Sequence, residues 1–239
     1  MSHIRPATPA DASRIAEIII TNYRTNFYPF FRNDAYYFGE LNVMDMAAEY
    51  AAGSDTLQNT YVYDDGVVKG IIRISGDEIQ KLFIEPTFQS QGIGAKLLHF
   101  AVSEKNAAWL WVLEYNTRGI AFYERHGFSL TGEKIMEDEW VPLLKMKNAL
   151  QSARNTIRRI FLELGAESAD TDGRTVFVHH GEYFRLDEMT FHGKPFFVIE
   201  CGTEEDFRLH RMEDADPFPY DLSEEEMRKE IQQILEINL

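Results

Sequence analysis

The chain has 239 residues, of which 44% are hydrophobic and 13% aromatic, a composition typical of a folded protein and not of a disordered one. Its net charge of −15 argues against nucleic acid and anionic membranes as partners, because a wide acidic surface repels both. No apolar run approaches the roughly 20 residues that a membrane-spanning helix needs. With no apolar leader and a single cysteine, Cys201, we expect a cytoplasmic protein without an internal disulfide.

The first 148 residues alternate between strand and helix patterns. A short strand at 4–7 precedes a helix that Pro9 opens, and a second helix is predicted near 45–52. Asp64-Asp65-Gly66, between the strand-like runs 60–63 and 67–74, predicts a β-hairpin. Later strands are predicted at 79–84, 109–113, 128–131 and 140–146, and later helices at 93–102 and 118–125.

The pattern changes near Leu150, and residues 149–239 carry twice as many acidic as basic side chains. An amphipathic helix around Ile157 is followed by strand-like runs at 175–179, 183–186 and 195–200. Ser223 and Glu226 form a capping-box pattern ahead of a last helix. We therefore predict two domains, 1–148 and a smaller α+β accessory domain at 149–239, with the boundary between Lys147 and Ser152.

A glycine-rich turn lies between the predicted strand 79–84 and the helix that follows it. Its sequence, FQSQGIGAKLL at 88–98, is neither a dinucleotide-binding fingerprint nor a P-loop, because Leu97 stands where a third glycine would fall and no Gly-Lys-Ser/Thr follows. Glycine at the turn between a strand and a helix favours a close approach of the backbone to a phosphate. The alternative interpretation is a tight turn and nothing more.

A second motif follows about twenty residues later, Asn116-Thr117-Arg118-Gly119-Ile120-Ala121-Phe122-Tyr123-Glu124-Arg125-His126-Gly127-Phe128. The two motifs, in this order and at this spacing, resemble those of the GNAT acyl-CoA N-acyltransferases. The resemblance covers residues 1 to about 147 and implies a mixed α/β fold with a mostly antiparallel central sheet flanked by helices. Gly119 departs from the family pattern, which more often has alanine there.

The resemblance implies that acetyl-CoA is the acyl donor and assigns residues to it. The pyrophosphate would be held by backbone N–H groups of the turn, namely Gln89, Ser90, Gln91, Gly92, Ile93, Gly94 and Ala95. The backbone of Leu82, Phe83 and Ile84 would pair with the pantetheine arm as an added strand does, and Asn116 would line the same channel.

Acetyl transfer to an amine requires that the amine lose a proton and that the departing thiolate be stabilised. The resemblance assigns Tyr123 as the proton donor; the alternative is that Tyr123 is only a core aromatic. Glu78 is the first candidate for the general base, Glu114 the second, and ordered water is an alternative to both. A covalent acyl-enzyme is not expected, because Cys201 lies in the other domain.

The acceptor would be a primary amine on a small molecule or a peptide. The aromatic segment between the first two helices suggests Tyr28, Tyr36 and Tyr37 as acceptor-binding residues, with a core role as the alternative. No metal is expected, since the histidines and Cys201 lack ligand spacing and adjacent His179 and His180 on a strand would face opposite ways. A homodimer is possible.

The sequence thus predicts an N-acetyltransferase that works by direct attack in a ternary complex. The alternative is a non-catalytic acyl-CoA-binding or regulatory protein with the same fold, because fold alone does not establish activity. A toxin acting on charged tRNA is disfavoured by the acidity of the chain. For residues 149–239 we expect a regulatory, dimerising or substrate-covering role.

Overall fold

The computed structural model describes residues 3–138, 140–171, 174–214 and 217–237. The chain divides into two compact units, Met1–Asn148 and Ala149–Leu239. Within the described ranges, no helix combines the length and the apolar character needed to cross a membrane.

The first unit is built on a seven-stranded sheet. In chain order its strands are β1 (Ile4–Pro6), β2 (Thr60–Asp64), β3 (Val68–Ser75), β4 (Glu78–Ile84), β5 (Trp109–Leu113), β6 (Phe128–Glu137) and β7 (Val141–Asn148). Their order across the sheet is β1-β2-β3-β4-β5-β7-β6. Every neighbouring pair is antiparallel except β4 and β5, which are parallel. The mostly antiparallel mixed sheet predicted from the family resemblance is confirmed.

Helices cover both faces of this sheet. They are α1 (Ala12–Asn26), α2 (Tyr28–Phe31), α3 (Val43–Ala48), α4 (Asp55–Gln58), α5 (Ile93–Lys105) and α6 (Thr117–Glu124). Successive residues of β3 point to opposite faces, so Ile71 packs in the cluster under α1 and Ile72 in the cluster under α5. Strand β3 is buried on both faces by this alternation, whereas the edge strand β6 is exposed beyond Phe128.

Strands β4 and β5 diverge soon after they begin. Their register consists of two pairs, Glu78 with Trp109 and Ile79 with Leu110. Beyond those pairs, no strand among the described residues continues the ladder on the β5 side of β4. The divergence opens a wedge in the middle of the sheet and leaves Leu82–Ile84 without a strand partner on that side. Ile84 O accepts there from the side chains of Asn22, at 3.0 Å, and Gln89, at 3.3 Å.

The second unit has its own antiparallel sheet and helices. Its elements are α7 (Ala149–Glu163), β8 (Glu167–Thr171), β9 (Arg174–His179), β10 (Glu182–Phe191), β11 (Lys194–Gly202), α8 (Glu204–Arg208), β12 (Glu213–Asp214), β13 (Phe218–Pro219) and α9 (Glu224–Ile237). The strand order is β12-β11-β10-β9-β8, and β13 also pairs with β11. Residues of α7, α9 and the sheet share one core cluster, in which the rings of Phe161 and Phe177 stack at 4.4 Å.

Several element bounds differ from the sequence prediction. Strand β6 extends to Glu137 instead of ending at Thr131, because β7 pairs with it up to the Glu137–Val141 pair. Strand β8 was not predicted, since ESADT has no apolar alternation and only its pairing with β9 makes it a strand. The capping box before α9 is confirmed: Glu226 N donates to Ser223 Oγ at 3.3 Å, and Ser223 N donates to Glu226 Oε2 at 2.8 Å.

Candidate active site

The glycine-rich turn leaves the first N–H groups of α5 open. Gly92, the residue that caps this helix, has φ of +79°, a left-handed conformation that suits a residue without Cβ. No side chain caps the helix, and the first bond into it runs from Lys96 N to Gly92 O at 3.1 Å. The N–H groups of residues 93–95 therefore lack intrahelical acceptors and lie at the positive end of the helix dipole.

A cavity of about 340 Å³, here called the turn cavity, opens in front of these groups. Most of the predicted cofactor-binding residues line it: Leu82, Phe83, Ile84, Gln89, Ser90, Gly92, Gly94, Ala95 and Asn116. Two predicted residues do not. Ile93 is buried in the core under α5, and the Gln91 side chain lies 3.4 Å from Thr87 O.

Two arginines that the sequence prediction missed also line the turn cavity, Arg118 and Arg125. Arg118 donates to Gln89 Oε1 at 2.9 Å, so α6 is tied to the glycine-rich turn. Both arginines fall inside the second motif, and their place beside a turn expected to hold phosphate was the signal available. A guanidinium next to free N–H groups makes this end of the cavity electropositive in an otherwise acidic chain.

A second cavity, of about 460 Å³, lies in the wedge between β4 and β5 and is here called the strand cavity. It shares lining residues with the turn cavity, namely Phe27, Leu82, Phe83, Asn116 and Tyr123. The two cavities therefore meet around Tyr123 and Asn116. A donor entering from the turn and an acceptor entering from the wedge would meet at this junction.

Tyr123 packs between aromatic rings while its hydroxyl is left without a protein partner. The ring lies 5.2 Å from Phe122 and 5.9 Å from Phe128. Among the described residues, none forms a hydrogen bond with the hydroxyl. Burial raises the pKa of Tyr123, so the group stays protonated at neutral pH and remains a hydrogen-bond donor.

The structure distinguishes the two candidate bases by their position relative to Tyr123. Glu78 lines the strand cavity with Tyr123, and burial raises the pKa of this half-buried carboxyl. Glu114 accepts two hydrogen bonds from Lys134, at 2.8 and 2.9 Å, and lies outside the lining of both cavities. Glu78 is therefore the carboxylate that shares a cavity with the candidate acid.

Asn116 and Gly119 form a matched pair at the start of α6. Asn116 Oδ1 accepts from Gly119 N at 2.9 Å and so caps the helix. A Cβ added at Gly119 would lie 2.3 Å from Asn116 Nδ2. The glycine that departs from the family pattern thus makes room for the capping side chain.

The three tyrosines predicted to bind the acceptor lie outside the lining of both cavities. Tyr37 is 2% exposed and belongs to a core cluster with Ile20 and Leu41. The Tyr28 hydroxyl donates to Asp34 at 2.8 Å, and the ring of Tyr36 lies 6.2 Å from Trp140. The same aromatic segment supplies two other residues instead: Tyr23 lines the strand cavity and Phe27 lines both cavities.

Within the described ranges, no group of three or more His, Cys, Asp or Glu residues is placed to hold a metal ion. The expectation that His179 and His180 face opposite ways is wrong, because their rings lie 4.2 Å apart. Strand β9 ends at His179, and His180 adopts a left-handed turn conformation with φ of 49°.

A larger open depression, of about 800 Å³, lies elsewhere on the first unit and includes His3, Lys96 and His99. It shares only Ala95 with the turn cavity and contains neither Tyr123 nor Glu78. The chemistry-bearing residues of the two motifs are thus gathered in the smaller cavities.

The first unit resembles known proteins in sequence over part of its length. A family model described as an acetyltransferase (GNAT) domain matches residues 57–130. Peptidyl-lysine N-acetyltransferase YjaB of Salmonella typhimurium is 32% identical over 77 residues, or 32% of this chain and 53% of that protein. YjaB of Escherichia coli is 32% identical over 69 residues, or 29% of this chain and 47% of that protein.

The chain spans about half the length of the curated relatives that it matches in sequence. The solution structure of apo-form YjaB from Escherichia coli matches in fold, with a TM-score of 0.50 at 23% identity over 61% of this chain and 95% of that one. Residues 149–239 lie outside the range that the family model matches. The first unit is thus similar to GNAT acetyltransferase domains in sequence over residues 57–130 and in fold.

Proposed function

We propose that the first unit transfers an acetyl group from acetyl-CoA to a primary amine, by direct attack of the amine in a ternary complex. The observation that carries this proposal is the junction of the two cavities at Tyr123. One cavity faces the free N–H groups of α5, and the other holds a carboxyl group at Glu78. The family match at residues 57–130 covers the turn and most of both cavity walls.

The turn cavity has the features that an acyl-CoA donor needs. The open N–H groups at the start of α5, together with Arg118 and Arg125, suit the charge of a pyrophosphate. The backbone of β4 at Leu82, which has no strand partner on the β5 side, offers hydrogen bonds to an amide-rich arm running alongside β4. An arm in that position leads its thioester towards Tyr123.

The reaction then proceeds in one displacement. The neutral amine attacks the thioester carbonyl carbon, so that a carbon–nitrogen bond forms and the carbon–sulfur bond breaks. Glu78, directly or through water, takes the proton from the amine. Tyr123, kept protonated by its raised pKa, donates to the departing sulfur and stabilises its developing charge.

Both YjaB relatives are named as peptidyl-lysine N-acetyltransferases, which supports a lysine-like primary amine as the acceptor. An acidic chain favours encounter with cationic amines, although net charge affects encounter more than chemistry. The proposal covers two classes of acceptor: the lysine side chains of peptides, and small molecules with a primary amine.

The test is a thiol-release assay with the full chain and acetyl-CoA across lysine peptides, amino acids, small amines and aminoglycosides, with acetylated products identified by mass spectrometry. Calorimetric titration with acetyl-CoA is run beside it. We expect binding of acetyl-CoA and turnover with at least one primary amine. Binding without turnover across the panel would favour the non-catalytic alternative, and absence of both would overturn the assignment of the turn cavity.

A further inference from the structure

Two cationic side chains of the strand cavity face each other across the sheet. Arg73 on β3 and Lys81 on β4 are direct partners in the antiparallel register, and both line the cavity. Side chains directly opposite on neighbouring strands lie on the same face, about 4.5–5.5 Å apart at their Cβ atoms. Like charges in such a pair repel one another, so the pair destabilises the sheet unless an anion sits between them.

The carboxylates nearby do not make that contact: Arg73 acts electrostatically on Glu78, and Glu49 and Glu137 act on Lys81, without an ion pair that the structure describes. Neither cation forms an ion pair within 4.0 Å among the described residues, whereas many other cationic side chains of the chain do. Lys81 Nζ donates to the neutral hydroxyl of Tyr23 at 2.5 Å. Arg73 Nε is buried and has no hydrogen-bond partner. A buried donor left unsatisfied is costly, and in a cavity it indicates a missing acceptor.

The surrounding charges agree with this interpretation. Burial is the largest cause and the charge of Arg73 the next, and together they lower the pKa of Lys81 to about 8. The carboxylates of Glu49 and Glu137 act in the opposite direction. Among the groups that face Lys81, Tyr23 is neutral, because burial raises its pKa to about 12. Burial and the charge of Arg73 therefore lower the pKa of Lys81 by more than the carboxylates of Glu49 and Glu137 raise it.

We propose that Arg73 and Lys81 bind a carboxylate group carried by the acceptor amine. The proposal rests on the function proposed above and names the substrate class of that same site. Arginine presents a planar fork that suits a carboxylate, and Lys81 has N–H donors besides the one used on Tyr23. The carboxylate relieves the repulsion across the strand pair and accepts from the buried Nε.

The acceptor is therefore zwitterionic. Glu78 and Glu137 line the same cavity as the two cations, and neither forms an ion pair within the part of the chain that the structure describes. They suit the ammonium group of an acceptor whose carboxylate is held at Arg73 and Lys81. Free amino acids have both groups, and so do peptides in which an acidic residue neighbours the lysine.

The experiment measures kcat/KM for acceptor pairs that differ only in the carboxylate. The pairs are β-alanine with β-alaninamide, lysine with lysinamide, and a blocked lysine peptide having glutamate beside the lysine with its glutamine counterpart. We expect wild type to prefer the carboxylate member of at least one pair by about 10- to 100-fold, as charge-assisted hydrogen bonds do. The preferred pair identifies the source of the carboxylate.

The variants are Arg73→Gln and Lys81→Gln, with Lys81→Arg as the conservative replacement. Each glutamine variant should lose most of the preference, measured as the ratio of kcat/KM within one pair, and Lys81→Arg should keep it. The ratio within one pair is unaffected by partial unfolding, because the active fraction cancels. Lys147→Gln, an exposed charge removal on β7, is the matched control and should leave the ratio unchanged.

A second readout does not depend on turnover. In lysine-labelled protein, NMR titration of Lys81 should give a pKa near 8 alone and a higher one with excess β-alanine, but not with β-alaninamide. The preference in kcat/KM should correspondingly weaken as the pH rises above about 8, because the free enzyme then loses the Lys81 charge.

The outcomes separate the two proposals. Turnover with no carboxylate preference in any pair, and an unshifted Lys81, would overturn the carboxylate site while leaving the acetyltransferase function intact. A Lys81 shift with β-alanine but no turnover of any acceptor would support the carboxylate site and overturn the proposed function. A preference that survives in both glutamine variants would also overturn the site.

Discussion

Both units contain ion pairs, but among the described residues the charged groups of the strand cavity in the first unit take no part in them. In the second unit, arginines pair with glutamates across elements: Arg159 with Glu224 at 2.6 Å, and Arg185 with Glu200. In the first unit, the charged groups of the strand cavity, Arg73 and Glu78 among them, form no ion pair with any described residue. Polar groups held unpaired in a cavity are costly, so the contrast supports the proposal that the first unit binds the ligands.

The hydrophobic cores of the two units also differ. The second unit has a single cluster, built around buried phenylalanines such as Phe177 and Phe184. In the first unit the sheet separates a cluster under α5 from one under α1, and the wedge between β4 and β5 interrupts the sheet itself. A continuous core favours stability, whereas a divided one leaves room for substrates. The experiments below test whether chemistry and stability divide between the units in this way.

The largest effect is expected from Tyr123→Phe, which removes one hydroxyl from the junction and keeps the ring. Loss of a proton donor should lower kcat by about 10²- to 10⁴-fold. The affinity for acetyl-CoA should change much less, because the lost interaction acts mainly in the transition state. Steady-state thiol release and calorimetry measure the two quantities.

Tyr61→Phe is the matched control, since Tyr61 is a partly buried tyrosine that lines neither cavity. Its turnover should equal that of wild type. If Tyr123→Phe also turns over normally and loses only about 1 kcal/mol of stability, Tyr123 is a packing residue and another group delivers the proton.

Phe177→Ala tests the other side of the comparison. Phe177 is 1% exposed and stacks on Phe161, so its truncation should lower the free energy of unfolding of the second unit by about 3–5 kcal/mol. Acetyl transfer at a temperature where the variant remains folded should be unchanged. Thermal melting and thiol release on the same sample measure both.

Leu162→Ala, which truncates an exposed leucine of α7, is the control and should cost about 0.5 kcal/mol or less. A turnover that falls in parallel with the stability of Phe177→Ala, and not with that of Leu162→Ala, would show that the second unit contributes to the reaction.

Sequence reasoning found the local features of the site and missed the non-local ones. The glycine-rich turn, Asn116 and Tyr123 lie within two short motifs, and the family resemblance of those motifs predicted that they would line one channel, as they do. The Arg73–Lys81 pair depends on a strand register with an irregularity between Arg73 and Ile74, which no local pattern reveals. In the aromatic segment, packing alone decides that Phe27 reaches the cavities while Tyr37 enters the core.

An intermediate effect is expected at the turn. A Cβ at Gly94 would lie 3.5 Å from Phe122 and 3.8 Å from Ile84, an ordinary contact, so Gly94→Ala should bind acetyl-CoA almost as wild type does. Gly94→Val adds two methyl groups between those walls of the turn cavity. Overpacking of about 1–3 kcal/mol should weaken acetyl-CoA binding by about 10- to 100-fold. Calorimetry that gave equal affinities for the two variants would show that the donor does not pass Gly94.

The smallest effect on stability is expected from Gly119→Ala. Within one helix, this substitution should change donor binding while leaving the stability of the fold almost unchanged. Alanine improves helix propensity by about 1 kcal/mol, but its Cβ would lie 2.3 Å from Asn116 Nδ2 and displace the cap. Loss of an N-cap costs about 0.5–2 kcal/mol, so the two terms nearly cancel and the melting temperature should hardly move. Asn116, however, lines both cavities, and its displacement should raise KM for acetyl-CoA by about two- to tenfold.

The double variant Asn116→Ala/Gly119→Ala decides whether the glycine acts through the asparagine. Residues in direct contact are non-additive, and once Asn116 is truncated there is no side chain for the new Cβ to displace. Gly119→Ala added to Asn116→Ala should therefore stabilise the helix without raising KM further. If instead the KM effects of the two single variants multiply, Gly119 contributes to donor binding independently of Asn116, through its own place in the cavity wall.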